Sequence, residues 1–205
     1  MKMAFCLFNG MTTLDFDGFH HAVSWLRILN RLDGVSLDLC ALAEEVTDDR
    51  GMTIRIPHVR PDLSAYDLLF VPGGLATRQL RHDEAFLSWL RTAREDSIKV
   101  SVCTGALLLG AAGWLTGKRA TTNRTAYDLL APSCAEVVQA RAVRDGRIFT
   151  GAGVSASLDL GLYVVESLTD ALFAQEVQEW MEYPYYRPGS AANDLLPEAN
   201  GPSGT

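Results

Sequence analysis

Four short runs in this chain are built from strand-forming residues and are apolar at most positions: "KMAFCLF" from Lys2, "VSLDLCAL" from Val35, "YDLLFV" from Tyr66 and "IKVSVC" from Ile98. A strand with one wet face alternates apolar and polar residues, whereas a continuous apolar run needs cover on both faces, as in a parallel sheet flanked by helices. Helical periodicity lies between the runs, near Gly18 to Arg31 and near Glu84 to Ala93. The order strand, helix, strand predicts a doubly wound α/β fold. Turn residues amid β-formers between Ala43 and Pro57 predict a small hairpin beside the main sheet. "ARAVRDGRIFTG" predicts a second, because Asp145-Gly146 between β-formers is a strong two-residue turn signal. Beyond it, "VSASLDLGLYVVESLTDALFAQEVQEWMEY" reads as two helices broken near Leu168 to Asp170. From Pro184 onward Pro, Gly, Ser and Asn dominate, which predicts a tail either disordered or laid across a partner. With 205 residues, 48% of them hydrophobic, the chain suffices for one well-buried domain, taken as residues 1–190, with 191–205 as a flexible tail.

A net charge of -7 without any Lys/Arg cluster argues against nucleic acid or an anionic membrane as partner and leaves a small molecule as the expected one. "MKMAFCLFNGMTTLD" has too short an apolar stretch for a signal peptide, and no apolar run approaches the roughly 20 residues of a membrane helix. A cytoplasmic location is the resulting expectation. Cys6, Cys40, Cys103 and Cys134 are widely spaced, with no C-x-x-C pair and no neighbouring histidine, so neither a zinc site nor a disulfide framework is signalled.

Cys103 stands out among the four. In "KVSVCTGALLLGAAGWL" it sits where a strand gives way to a helix, with Gly105 at a point where a side chain would crowd the corner. Ser101-x-Cys103-x-Gly105 has the spacing of a nucleophile elbow, with cysteine in the serine position. A side chain at such a corner projects from the carboxyl edge of the sheet, where open α/β proteins bind ligands. The helix that follows would favour thiolate over thiol through its dipole and free N–H groups. An isolated cysteine is more often a small buried residue; the corner position reverses that preference. Two other loops at the same edge supply partners. "NGMTTLDFDGF" offers Asp17, suited to capping the helix expected from Gly18, and Asp15, further back and able to reach the thiol. "PGGLATRQL" offers Gly73 and Gly74, where backbone N–H groups could approach a ligand as an oxyanion hole requires. A Gly-Gly pair alone explains any tight turn, so the weight comes from three loops at one edge. No histidine follows His82. A Cys-His-Asp triad would therefore need His20, His21, His58 or His82 to fold back onto the elbow.

Taken together, "LDFDGF", "LLFVPGG", "VSVCTGALLLGAAGWLTGKRATT", "YDLLAP", "VVQARAVRDGRIFTGAGVSASLDLGL" and "VQEWMEYPYYRPGS" resemble the DJ-1/PfpI (ThiJ/PfpI) superfamily, in order and through Ser190. Within it they are most similar to the isonitrile hydratase branch and to the ligand domains of AraC-type regulators. The resemblance implies a flavodoxin-like three-layer α/β sandwich with a mainly parallel sheet, of the class I glutamine amidotransferase-like kind, usually a homodimer. It also implies Cys103 as nucleophile, Asp15 as the acid, Thr104 as the residue beside the nucleophile, Gly73 and Gly74 as the backbone-donor loop and Val154 as a pocket-lining position. The chain departs from the pattern at Asn123 and Arg124, where the branch has His-Trp, at Phe19 in place of a proline and at Ala152 in place of a glycine.

The activity implied is hydration of an isonitrile to an N-substituted formamide, which needs neither metal nor organic cofactor. It asks Asp15 to alternate as acid and base, hence to have a raised pKa. Two other readings use the same thiol. One directs it at an aldehyde, ester or amide, as in glyoxalase-like relatives, which usually pair cysteine with histidine and glutamate. The other makes it a redox sensor, oxidised by peroxide to a sulfinate. A transcription factor is disfavoured, since the Pro/Gly/Ser-rich tail carries no helix-turn-helix.

Overall fold

The computed structural model of the protein describes residues 1–197. Its strands are β1 (Lys2–Cys6), β2 (Ser36–Ala41), β3 (Glu45–Thr47), β4 (Thr53–Arg55), β5 (His58–Val59), β6 (Leu68–Val71), β7 (Ile98–Val102), β8 (Arg119–Ala120), β9 (Glu136–Val137), β10 (Ala142–Asp145), β11 (Ile148–Gly151) and β12 (Leu195–Leu196). Its helices are α1 (Thr13–Ile28), α2 (Thr77–Leu80), α3 (Glu84–Leu90), α4 (Ala106–Ala111), α5 (Tyr127–Leu130), α6 (Ala156–Leu168) and α7 (Ala171–Trp180).

The main sheet runs β12-β10-β11-β7-β6-β1-β2-β5. It is parallel from β5 through β11, while β10 and β12 are antiparallel. Three of the four apolar runs behave as their composition requires, while β2, beside the edge strand β5, fully buries only Cys40 and Ala41. All four residues of β6 are buried, as are Met3 to Cys6 of β1 and Lys99 to Val102 of β7. Both expected hairpins form: β3 pairs β4, and β10 pairs β11 around Gly146, whose φ of +64° suits glycine. Strand order reverses between β1 and β6, the switch point at whose carboxyl edge open α/β sheets bind ligands.

Helix α1 buries Phe16, Phe19, Ala22, Val23 and Leu26 on one face, the spacing of an amphipathic helix. Phe19 stacks on Phe70 of β6 with ring centroids 4.4 Å apart, so the expected proline position is a core aromatic here. Helices α1 and α6 approach closely, and a Cβ on Gly161 would lie 2.5 Å from that of Ala22.

Two boundaries differ from the sequence reading. Helix α1 begins at Thr13, five residues before Gly18, so Asp15 and Asp17 are both inside it. Asp17 is exposed on the helix and does not cap it; Thr12 holds the cap position. The reason is tertiary. Thr12 and Thr13 donate their hydroxyls to Asp49 and Asp48 on the β3–β4 hairpin, so the helix start is fixed by a segment distant in sequence. The second difference is the C-terminal segment. Pro184 to Pro197 folds onto its own chain, with β12 paired to β10. The Glu166 carboxylate accepts from Tyr186 Oη and from the backbone N–H groups of Gly189 and Ala191. Of the tail expected at 191–205, residues 198–205 lie outside the described residues. Among those described, no helix is long and apolar enough to cross a membrane.

Candidate active site

Cys103 opens a 3-10 turn, Cys103–Gly105, between β7 and α4. Its φ is +55°, a left-handed conformation that costs a non-glycine residue about 1–3 kcal/mol and that clusters at functional sites. The bend is held from several sides. Thr122 Oγ1 donates to the Cys103 carbonyl at 2.7 Å. Thr104 Oγ1 accepts from Gly74 N–H at 3.0 Å and donates to the Gly74 carbonyl at 2.9 Å. A Cβ on Gly105 would lie 2.8 Å from the Pro72 carbonyl oxygen, so only glycine lets the elbow close on the end of β6.

Asp15, in the first turn of α1, is fully buried. Its Oδ2 accepts from Gly73 N–H at 2.8 Å, and its carboxyl and the Cys103 side chain flank the same face of Gly73. Oδ1 takes no hydrogen bond among the described residues. A buried carboxylate oxygen left this way is costly unless the group is protonated or something binds beside it. Gly73 lies between the two reactive groups: a Cβ there would stand 2.7 Å from Asp15 Oδ2, 2.8 Å from Cys103 Cβ and 2.6 Å from Thr104 N.

Burial pushes the Asp15 carboxyl up from 3.8 to about 7, with the nearby Asp49 charge adding to the rise and the Gly73 N–H and Cys103 hydrogen bonds opposing it. Burial also pushes the Cys103 thiol up from 9.0 to about 11, and the Asp15 charge adds to that. Hydrogen bonds from Thr104 and from the Asn123 side chain pull the other way. The expectation of a resting thiolate is therefore corrected. Cys103 is only 6% exposed and faces a carboxyl, and α4 is six residues long and starts after the 3-10 turn, so desolvation outweighs the helix dipole. Between about 7 and about 11 the pair holds one proton, which can sit on sulfur or on the carboxylate.

A second correction concerns Gly73 and Gly74. Their N–H groups were expected to face a ligand, but the first is taken by Asp15 and the second by Thr104. They organise the acid and the elbow. Val154 is half-buried in the loop between β11 and α6. In that loop Gly153 approaches Asn123: a Cβ on it would lie 3.9 Å from Nδ2. Asn123 is the member that motif reading did not place among the site residues; its signal was its departure from the His-Trp pattern. Arg124 beside it is exposed. No histidine joins the cluster, and His20 packs instead against Phe5 and Phe16. Among the described residues no group of three or more His, Cys, Asp or Glu is placed to hold a metal ion.

The sequence pattern of the DJ-1/PfpI family matches residues 1–167. This chain belongs to that family. Among curated relatives, an isonitrile hydratase of Pseudomonas putida is 36% identical over 201 residues, covering 97% of this chain and 86% of that protein. The HTH-type transcriptional regulator CdhR of Pseudomonas aeruginosa is 30% identical over 190 residues, 90% of this chain but only 55% of the regulator. A ThiJ/PfpI family protein from Pseudomonas syringae superposes with a TM-score of 0.79 at 33% identity, covering 96% of this chain and 81% of that one. The DJ-1/PfpI fold, a mostly parallel central sheet with flanking helices, is thus shared by sequence and by structure.

Proposed function

We propose that this DJ-1/PfpI protein adds water to an isonitrile and releases an N-substituted formamide, with Cys103 as nucleophile and Asp15 as the group that moves protons. The observation that carries the reading is the fully buried Asp15 carboxyl set beside the strained Cys103, the two meeting at the side-chain-free Gly73. The relative named isonitrile hydratase supports the choice of substrate class.

The terminal carbon of an isonitrile accepts both a proton and a nucleophile. Sulfur bonds to that carbon as the shared proton passes to it through Asp15, giving a thioimidate, Cys103–S–CH=N–R. Neither partner gains charge in a site of low dielectric. Water then adds across C=N, one of its protons passing by way of the Asp15 carboxylate to nitrogen. The tetrahedral adduct collapses as the hydroxyl proton returns through Asp15 to sulfur. The C–S bond breaks, the formyl C=O forms, and the pair regains its starting proton. The sum is R–NC plus H2O to R–NH–CHO.

The test is steady-state formation of formamide from a simple aryl isonitrile, run beside methylglyoxal. Cys103→Ala abolishes turnover, and Asp15→Asn lowers kcat/KM by about 10²–10⁴, the usual worth of a positioned acid–base group. Wild-type activity falls below pH 7, where the pair takes up a second proton, and holds above it until the thiol ionises near 11. An unimpaired Cys103→Ala enzyme would sink the mechanism. Turnover of methylglyoxal without turnover of the isonitrile would reassign the substrate to the aldehyde class.

A further inference from the structure

We propose that Thr12 and Asp49 are positioning residues for Asp15: by taking the Thr12 hydroxyl, the β3–β4 hairpin keeps the end of α1 from closing on the acid and leaves its carboxyl beside the thiol. The inference rests on Asp15 as the proton-moving group proposed above but not on the identity of the substrate.

It begins with a local motif that the fold leaves open. Thr12-Thr13-Leu14-Asp15 has the spacing of a capping box, in which the threonine hydroxyl accepts from the N–H three residues on while the acidic side chain there reaches back to the threonine N–H. Thr12 holds the N-cap position of α1 in extended conformation, as the box requires. Both halves are nevertheless diverted. The Thr12 hydroxyl does not cap the helix and donates instead to Asp49 Oδ2 at 2.8 Å. Thr12 N–H goes to the Gly73 carbonyl at 2.9 Å, and Asp15 Oδ2 accepts from Gly73 N–H. A closed box would hold the carboxyl against its own helix end. The open one gives it to Gly73, on the face that Cys103 shares.

What holds the box open is the hairpin. Besides Thr12, every residue from Asn9 to Thr13, in the segment that leads β1 into α1, is hydrogen-bonded to it. Asn9 Oδ1 accepts from Thr47 N–H, Gly10 N–H donates to the Thr47 carbonyl and the Met11 carbonyl accepts from Asp49 N–H, each at 2.8 Å, while Thr13 Oγ1 donates to Asp48. Asp48 also ties the hairpin tip together, its Oδ1 accepting from Arg50 N–H at 2.9 Å and from Met52 N–H at 2.7 Å. On its other side the segment rests on the glycine loop, where a Cβ on Gly74 would lie 2.4 Å from the Gly10 carbonyl oxygen. β3 and β4 are three residues each and pair outside the main sheet, and so short a ribbon is marginal by itself. Its contacts converge on the stretch that delivers the acid. The titratable groups that act on Asp15 there are Cys103 from the elbow and Asp49 from the hairpin.

The bond can be cut from either end. Thr12→Val removes the hydroxyl at nearly constant shape and constant charge, and Thr12→Ser restores it. Asp49→Ala removes the acceptor and frees the hydroxyl to close the box, and Asp49→Asn keeps an acceptor. The readouts are kcat and KM on an aryl isonitrile, and the Asp15 side-chain carboxyl followed by carbon-13 NMR from pH 4 to 9, assigned with Asp15→Asn. Thr12→Val and Asp49→Ala should lower kcat about tenfold or more with KM within about twofold. In Thr12→Val the carboxyl midpoint should also fall from about 7 by about one pH unit or more, as the group turns from its buried place toward the N–H groups of the helix end. Thr12→Ser should match wild type in both, and Asp49→Asn should hold kcat above the acid limb. Either signal left unmoved by Thr12→Val, or moved as far by Thr12→Ser, would overturn the proposal. Should Thr12→Val fail to fold, the Asp49 pair decides: equal kcat in Asp49→Ala and Asp49→Asn would overturn it. If even the wild type turns over no isonitrile while the titration shifts in Thr12→Val and returns in Thr12→Ser, the failure lies with the hydratase reading and the role of the hairpin stands.

Discussion

Replacing Asp15 with Asn should make the protein more stable at alkaline pH while removing most of its activity. The carboxyl is wholly buried, and its raised affinity for a proton means that the unfolded chain ionises first. Folding therefore carries no penalty from this group below about 3.8. Stability is lost progressively as pH rises toward about 7, and the loss is constant above that. At about 1.4 kcal/mol per pH unit the full effect is about 4 kcal/mol, of which about 3 kcal/mol falls between pH 5 and pH 8.5. Asn is isosteric, still accepts from Gly73 N–H, and cannot ionise. The assay is urea unfolding of both proteins at the two pH values, taking the difference between them at each. That difference cancels the titration of every other group and should move by about 3 kcal/mol in favour of Asn on going to pH 8.5. In melting experiments the same change is on the order of 6–12 °C for a chain of this size. A stability difference that does not vary with pH would mean that Asp15 is not a raised carboxyl, and the proton-sharing argument would fail with it.

Two further substitutions probe how the pair is held. Gly73→Ala places a methyl against Thr104 N, Asp15 Oδ2 and Cys103 Cβ, none of which is a flexible chain end, so it should cost about 1–3 kcal/mol in denaturant unfolding and most of the activity. A Gly73→Ala protein with wild-type kcat/KM would show that the thiol and carboxyl need not stay in register. Asp49→Asn keeps an acceptor for Thr12 Oγ1 but removes a charge that raises Asp15, and leaves Arg50, now paired with Asp49 at 3.4 Å, unpartnered nearby. The acid limb of the pH–rate profile should move below 7, and an unmoved limb would assign the Asp15 shift to burial alone.

Much of the fold was legible because parallel strands covered on both faces cannot hide. β1, β6 and β7 were readable as apolar runs, and Asp145-Gly146 marked its hairpin through backbone chemistry confined to two residues. What escaped depends on partners far along the chain. The start of α1 is set by Asp48 and Asp49 on the hairpin tip, so no local capping pattern could have located it. The segment after Pro184 looks like a tail in composition, yet a buried carboxylate on α6, Glu166, gathers its tyrosine and backbone donors. At the site, the need for glycine at 73 and 74 was readable, but not the use made of their N–H groups. That use follows from a carboxyl and a hydroxyl brought in by other elements.

The strand order explains why Gly73 takes part in a pairing between residues 15 and 103. β1, which leads into the Asp15 helix, and β7, which ends at Cys103, are not neighbours; β6 runs between them. The loop leaving β6 must pass between acid and thiol at the carboxyl edge, and whatever it carries there separates them. A backbone with no Cβ lets the carboxyl and the sulfur meet while lending one N–H to the carboxylate and, a residue later, one to Thr104. The same passage accounts for the strain at Cys103. A residue continuing β7 in extended conformation would alternate across the sheet, whereas a φ of +55° turns the chain sharply at that corner and lets Gly105 close against Pro72. The Thr122 and Thr104 hydrogen bonds supply interactions of the size needed to hold that conformation, at about 0.5–1.5 kcal/mol each. The expected consequence is that Thr122 governs the geometry of the thiol, while Thr104 also holds down its affinity for a proton.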